Sequence, residues 1–324
     1  PDAGAAAPEG AAPPSSAGAV LADMRQRSAD RNREMAARVN AYLDPVTVDY
    51  TRDVLPLTPA GNATERHLLI AYDRAARERY PRRADLVGYW AAKLGLDPAA
   101  VDAFLGDAPA PHDVVRAKLM KRGGVGYMPP EADTFPRFDA VNAMIRACGA
   151  IPVYGFVDGT SSGEQRLGEM LAFLVAQGIG ALCVVPERNW HLDDPAERQR
   201  KMALFYAALA VARALDLPIL AGTEMNRAGQ PLIDDFDAAP MQPLCAELVD
   251  GGDWLYGHTL LQRALGLGEG SAWARGHLPE RRARNAFYAQ VGRAVPPDGD
   301  GIARLRGLDA ATLDPGGLLA RVAG

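Results

Sequence analysis

The chain has 324 residues, 48% of them hydrophobic, and a formal charge of -5; this allows a substantial buried core and argues against a general nucleic-acid binder, which needs a basic face. Cys148, Cys183 and Cys245 are too scattered for a disulfide framework and form no C-x-x-C pair, so a reducing, cytoplasmic setting is expected. No apolar run approaches the roughly 18 residues of a membrane span and no leader pattern opens the chain, so no membrane association is expected, although Pro1 leaves room for a preceding processed segment.

Residues 1–18 are almost all Ala, Pro, Gly and Ser, a composition with nothing to bury that reads as a flexible tail. Leu21, Met24, Met35, Val39 and Leu43 then mark a helix ending near Leu43, and Val46 to Tyr50 alternates like a strand. Asn62 with Glu65 has capping-box spacing and should start a helix carrying His67, Leu68, Leu69 and Tyr72. Residues 81–121 read as short helices joined by Pro and Gly, an inserted helical layer with Trp90 and Phe104 in its core.

From residue 150 onward the pattern becomes periodic. Apolar runs at Ile151 to Val157, Ala181 to Val185, Pro218 to Ala221 and Trp254 to Tyr256 alternate with helical stripes, as parallel crossovers require. The expectation is a single α/β barrel domain over residues 19–293, with residues 294–324 as a C-terminal extension over its exterior. In such folds functional groups gather at the carboxyl ends of the strands. Those ends carry Asp158, then Glu187, Arg188, Asn189 and His191, then Glu224 and Asn226, and finally His258.

Gly222 directly after an apolar run lets Glu224 project as a metal ligand or base, and His258 suits metal ligation or proton transfer. Arg188 is available for anions. Gly159 to Gly163 matches G-x-S-x-G with Ser161 as nucleophile, and Asp234 or Asp235 followed by His258 keeps the serine-hydrolase order. The same loop reads equally as backbone N-H groups and hydroxyls offered to an anion at a helix start. The basic stretch Arg275 to Arg284, interrupted by Glu280 and lacking an aromatic ladder, reads as a solvated helix face.

Cys148-Gly149-Ala150-Ile151-Pro152-Val153-Tyr154-Gly155-Phe156, Gly178-Ile179-Gly180-Ala181-Leu182-Cys183 and Gly222-Thr223-Glu224-Met225-Asn226 together resemble the C-terminal half of the PHP (polymerase and histidinol phosphatase) domain. The resemblance spans residues 121–230. It implies a distorted (β/α)7, TIM-type barrel whose strand ends hold divalent metals for phosphoester hydrolysis. Phe156, Cys183 and Asn226 stand where the family has His, Glu and His, and Glu224 where it has Asp; its opening His-x-His strand is absent from the chain and would precede Pro1 or be lost.

On this reading Glu224, His258, His67 and His191 bind a divalent metal (Zn, Mn or Mg), and Asp158 or Glu187 is the catalytic base. Arg188, Asn189, Asn226 and Ser161 contact a small polar or phosphorylated substrate. Two alternatives accompany it: a ligand-binding barrel that has lost its metals and catalysis, and a serine hydrolase using Ser161.

Overall fold

The computed structural model describes residues 16–131, 134–225, 230, 232–297, 301–309 and 312–323. Helix makes up 61% of it and strand 4%, in one small open sheet. The expected barrel is therefore not seen. The chain divides into two compact units, Pro1–Ala140 and Val141–Gly324.

The first unit is helical. Ser16 caps α1 (Ala17–Leu43), its Oγ accepting from the Ala19 N-H at 3.2 Å. The helix ends where the sequence predicts, and Met35, Val39 and Leu43 are buried on one side. The segment after it has the buried-exposed alternation of a strand at Val46, Val48 and Tyr50 but no strand partner among the described residues. Instead the Asn40 amide takes both backbone groups of Val48, accepting from its N-H and donating to its carbonyl at 2.9 Å each. Periodicity cannot distinguish a side chain from a neighbouring strand as the partner.

Next come α2 (Glu65–Arg79), α3 (Arg83–Leu94), α4 (Pro98–Phe104) and α5 (Asp113–Leu119). Their apolar faces share one core with α1, containing Leu68, Tyr72, Trp90 and Leu119. Residues 81–121 are thus part of this unit's own core.

Helix α6 (Phe138–Ala147) straddles the division between the units. In the second unit β1 (Val153–Phe156), α7 (Leu167–Ala176), β2 (Ala181–Val184), α8 (Glu187–Trp190), α9 (Pro195–Ala214) and β3 (Ile219–Ala221) follow. The strands are parallel in the order β1-β2-β3, with Val153 opposite Ala181 and Leu182 opposite Ile219. One face is buried along all three strands, and the other is covered at Ala181 but open at Val153 and Gly155 of β1. Leu182 and Val184 pack with Phe205 and Leu209 of α9, whereas Ala181 belongs to the core of Trp254, Leu261 and Tyr288.

The expected fourth strand is the main local error. Trp254 to Tyr256 lies inside α10 (Cys245–Leu265), a helix that runs straight through Gly251-Gly252. Its buried residues, Leu248, Gly251, Trp254, His258 and Leu261, recur at intervals of three and four, the period of a helix. Then follow α11 (Ala272–His277), α12 (Arg281–Ala294), α13 (Gly301–Leu305) and α14 (Pro315–Ala323). The last two join the core around Trp254 and Tyr288 through Leu305 and Leu318.

Glycine enables these contacts. A Cβ on Gly251 would lie 1.9 Å from the Ile219 carbonyl oxygen, and one on Gly257 1.9 Å from that of Tyr288. Gly252 has open space. Gly257→Ala should therefore destabilise the protein by at least ~1–3 kcal/mol through overpacking. Gly252→Ala should be neutral or stabilise by up to ~1 kcal/mol through helix propensity. Urea denaturation of the two variants checks the contrast, and equal effects would refute it.

Candidate functional site

The carboxyl edge of the sheet does collect polar groups. Asp158 meets Lys201 Nζ at 3.2 Å and accepts from the Thr160 hydroxyl at 2.6 Å. Burial pushes its carboxyl upward, but these partners outweigh it and hold the pKa below the ordinary value. Asp158 is thus an ion-paired loop anchor and a poor base. Buried Glu164 accepts from the N-H groups of Val157 and Gly159 at 2.7 and 3.1 Å and from the Ser161 hydroxyl at 3.2 Å, while its own N-H donates back to Ser161 Oγ. Ser161 is thus part of a capping-type loop. The partner of its hydroxyl is a carboxylate, where a nucleophile needs a base such as histidine.

Beside it, α8 carries three of the expected residues, Glu187, Arg188 and Asn189, and His191 follows as its C-cap. Asn189 is fully buried, donating to the carbonyls of Val157 and Val185 at 3.1 and 3.0 Å. Arg188 pairs with Glu224 at 3.2 Å, so the carboxylate expected to hold a metal is neutralised by the cation expected to hold substrate. Exposed His191 stacks on Trp190, with ring centroids 5.2 Å apart. Asn226 lies outside the described residues.

Half-buried Glu187, expected as a base, lies near buried Asp234, expected as the acid of a serine-hydrolase order. Asp234 is 5% exposed. The Trp190 indole N-H and the Glu187 backbone act on its carboxylate, without reaching full hydrogen-bond geometry. Burial, reinforced by the Glu187 charge, pushes the Asp234 pKa up, the response of a carboxylate forced beside another in a low-dielectric site.

The expected metal ligands are not brought together. His67 is in the first unit, at the start of α2, where its Nδ1 accepts from the Thr64 N-H at 3.0 Å and lies 2.9 Å from the Thr64 hydroxyl. The helix begins at Glu65, capped by Thr64, two residues later than the Asn62 signal implies. His258 sits on α10, among residues that precede the strands, and is not at a strand end. No group of three or more His, Cys, Asp or Glu among the described residues is arranged to hold a metal. The donor set does not fit the divalent cluster that the family resemblance implies.

The opposite, amino edge of the sheet holds a cavity of about 600 Å³. Its floor is the backbone leading into β1 and β2, Gly149 to Pro152 and Gly178 to Gly180, and α10 contributes His258 and Gln262. Arg146, Arg275, Arg281 and Arg284 line it against one carboxylate, Glu269. Three of these arginines belong to the stretch Arg275 to Arg284. Most of that stretch is exposed, as its reading as a solvated face expects, but Arg281 and Arg284 turn inward to the cavity.

The arginines differ in how far they are committed. Arg284 donates to Glu269 Oε1 at 2.9 Å and to the carbonyls of Leu278 and Pro279 at 2.8 and 3.1 Å. Arg275 donates to the Gly270 carbonyl. Arg281 and Arg146 make no hydrogen bond or ion pair to the described residues. Burial pulls the Arg281 pKa down, Glu269 works against that, and nearby Arg284 adds to it.

The first turn of α12 carries Arg281, Arg282 and Arg284 and no acid. This is the reverse of what a helix dipole favours at its positive end. That inverted pattern, with Glu269 in the glycine-rich run Gly266 to Gly270, is the signal in the sequence that could have located the cavity.

His258 ties two walls together. Its Nδ1 accepts from the Glu269 N-H at 2.9 Å, and the ring also meets the Gly149 backbone. Burial pushes its pKa below the ordinary histidine value, against the opposing pull of Glu269. The ring is therefore neutral at pH 7, as an Nδ1 acceptor must be.

No protein-family model, curated protein or solved structure matches the chain. No described helix is long and apolar enough to cross a membrane.

The two buried acid-base groups give pH signatures of opposite sign. The His258 pKa is depressed on folding, so acidification below the unfolded value of about 6.5 favours the unfolded chain. Stability should fall as pH drops from 7 through that range, and His258→Gln should remove that part of the slope. The Asp234 pKa is raised on folding, so its stabilising effect is present below the unfolded carboxylate value and lost as pH rises through the folded one. Asp234→Asn should thus raise the urea midpoint at pH 7 and leave it nearly unchanged at pH 3. A midpoint shift independent of pH would refute the assignment.

Proposed function

We propose that this protein binds a small anionic ligand, of the phosphorylated class, in the cavity at the amino edge of the sheet. The observation that carries the reading is the charge imbalance of that cavity: four arginines face one carboxylate, and Arg281, beside the positive end of α12, makes no ion pair to the described residues. The charges of Glu269 and Asp216 act on Arg281 without contacting it, and a half-buried guanidinium with no direct partner gains from an anion that completes it. Guanidinium forks match phosphate geometry, and a helix N-terminus of this length adds dipole and N-H groups.

The proposal keeps the ligand class that the sequence suggests and moves it to the other edge of the sheet. It also stands closest to the ligand-binding alternative, without the barrel. Metal-assisted hydrolysis would need a ligand set that these side chains do not make, and the Glu164 carboxylate on the Ser161 hydroxyl is already committed to the Val157 and Gly159 N-H groups.

Titration calorimetry with inorganic phosphate and pyrophosphate at low ionic strength tests the reading. Wild-type protein should bind pyrophosphate, and Arg281→Ala should weaken binding about ten-fold or more, the loss of a charge-assisted hydrogen bond. Arg282 belongs to the same helical turn but pairs with Asp216 at 2.9 Å, so Arg282→Ala should change affinity little. Absence of binding by the wild type, or equal loss in the two variants, would overturn the proposal.

A further inference from the structure

Glu269 is anomalous in an anion site. It places a negative charge in the wall of the cavity, where it repels the ligand that the arginines attract. Its position is nonetheless tightly specified: the side chain bonds Arg284, the backbone N-H bonds His258, and both ion-pair partners are largely buried, at 18% and 11% exposure. The preceding residue adds to the constraint. A Cβ on Gly268 would lie 2.3 Å from Gln262 Oε1 and 2.8 Å from the His258 ring, and the Gly268 N-H donates to Gln262 Oε1 at 3.1 Å.

A carboxylate has about four acceptor positions, and Arg284 occupies one of them at Oε1. With Gln262 Oε1 engaged by Gly268, its amide NH₂ is the end available to a ligand. The wall therefore combines fixed cations with a fixed acceptor and an amide donor. The lining residues include no Phe, Tyr or Trp, so the cavity has no aromatic platform for a nucleobase or other flat apolar group. Its 600 Å³ volume exceeds what inorganic phosphate alone would fill.

Building on the anion site proposed above, we infer that Glu269 is a specificity-determining residue. It selects a phosphorylated polyol, such as a sugar phosphate, over bare phosphate by accepting hydrogen bonds from the ligand's hydroxyls while the free arginines take the phosphate. A ligand with hydroxyls offsets the repulsion that Glu269 exerts on the phosphate; inorganic phosphate cannot. Sites built to hydrogen-bond a hydroxyl discriminate strongly against ligands that lack it, because the acceptor is otherwise left unpaired.

Calorimetry with glucose 6-phosphate, inorganic phosphate and adenosine monophosphate on wild type, Glu269→Gln and Glu269→Asp tests this. Wild type should bind glucose 6-phosphate about ten-fold or more tighter than inorganic phosphate, and adenosine monophosphate no tighter than glucose 6-phosphate. In Glu269→Gln the preference should shrink several-fold, with phosphate binding tightened and sugar phosphate binding weakened. Glu269→Asp keeps the charge and should keep inorganic phosphate weak, which separates loss of charge from a general disturbance of Arg284. An unchanged preference in Glu269→Gln, or tighter binding of the nucleotide, would overturn the inference and leave the anion site standing. If wild-type protein bound none of the three, the anion site itself would fall.

Discussion

The contact of α10 with the backbone of β3 and α12 is the constraint on which the second unit depends. Gly251 sits against the Ile219 carbonyl and Gly257 against that of Tyr288, and Gly292 of α12 in turn abuts the Asp253 backbone. Side chains at these positions would hold the elements apart, so the interfaces are backbone against backbone. Everything at the amino edge hangs on the resulting placement. It brings His258 and Gln262 to the ends of β1 and β2 and fixes where α12 begins, and with it Arg281 and Arg284.

The two edges of the sheet are polar for different reasons. At the carboxyl edge most charges are neutralised within the fold: Asp158 by Lys201, Glu224 by Arg188. Buried Asp234, beside half-buried Glu187, is the exception, and its pKa is raised. At the amino edge the surplus is of guanidinium groups, which do not give up a proton at physiological pH. A carboxylate can lose its charge to suit its surroundings, whereas a guanidinium keeps its own. That asymmetry separates polar residues that serve the fold from those that point to a ligand.

Much of the local structure was legible in the sequence. The helix ending at Leu43 and the three strands beginning near residues 153, 181 and 219 lie where apolar periodicity puts them. The closure of these strands into a barrel was not legible, because it rested on a fourth apolar run that belongs to a helix. Gly251-Gly252 reads as a break when only propensity is considered, yet the first glycine is there for close packing. The resemblance in residues 121–230 carried the same error forward, since the barrel that it implies would need strands that the chain does not form. The site was missed because strand ends were weighed only at their carboxyl side. The arginines that define the cavity come from three separate helices, and no linear motif unites Arg146 with Arg281.

In the first unit, Asn40 has a role beyond its two hydrogen bonds. The segment from Val46 to Asp49 is extended, alternates apolar and polar residues, and has no strand beside it among the described residues. Such a segment is a template on which another chain can add a strand. By taking both the N-H and the carbonyl of Val48, and being held itself by the Tyr72 hydroxyl at 2.9 Å, Asn40 closes that template at this residue. One amide side chain thus takes the place that a strand edge-on to Val48 would need, where no second strand is present among the described residues.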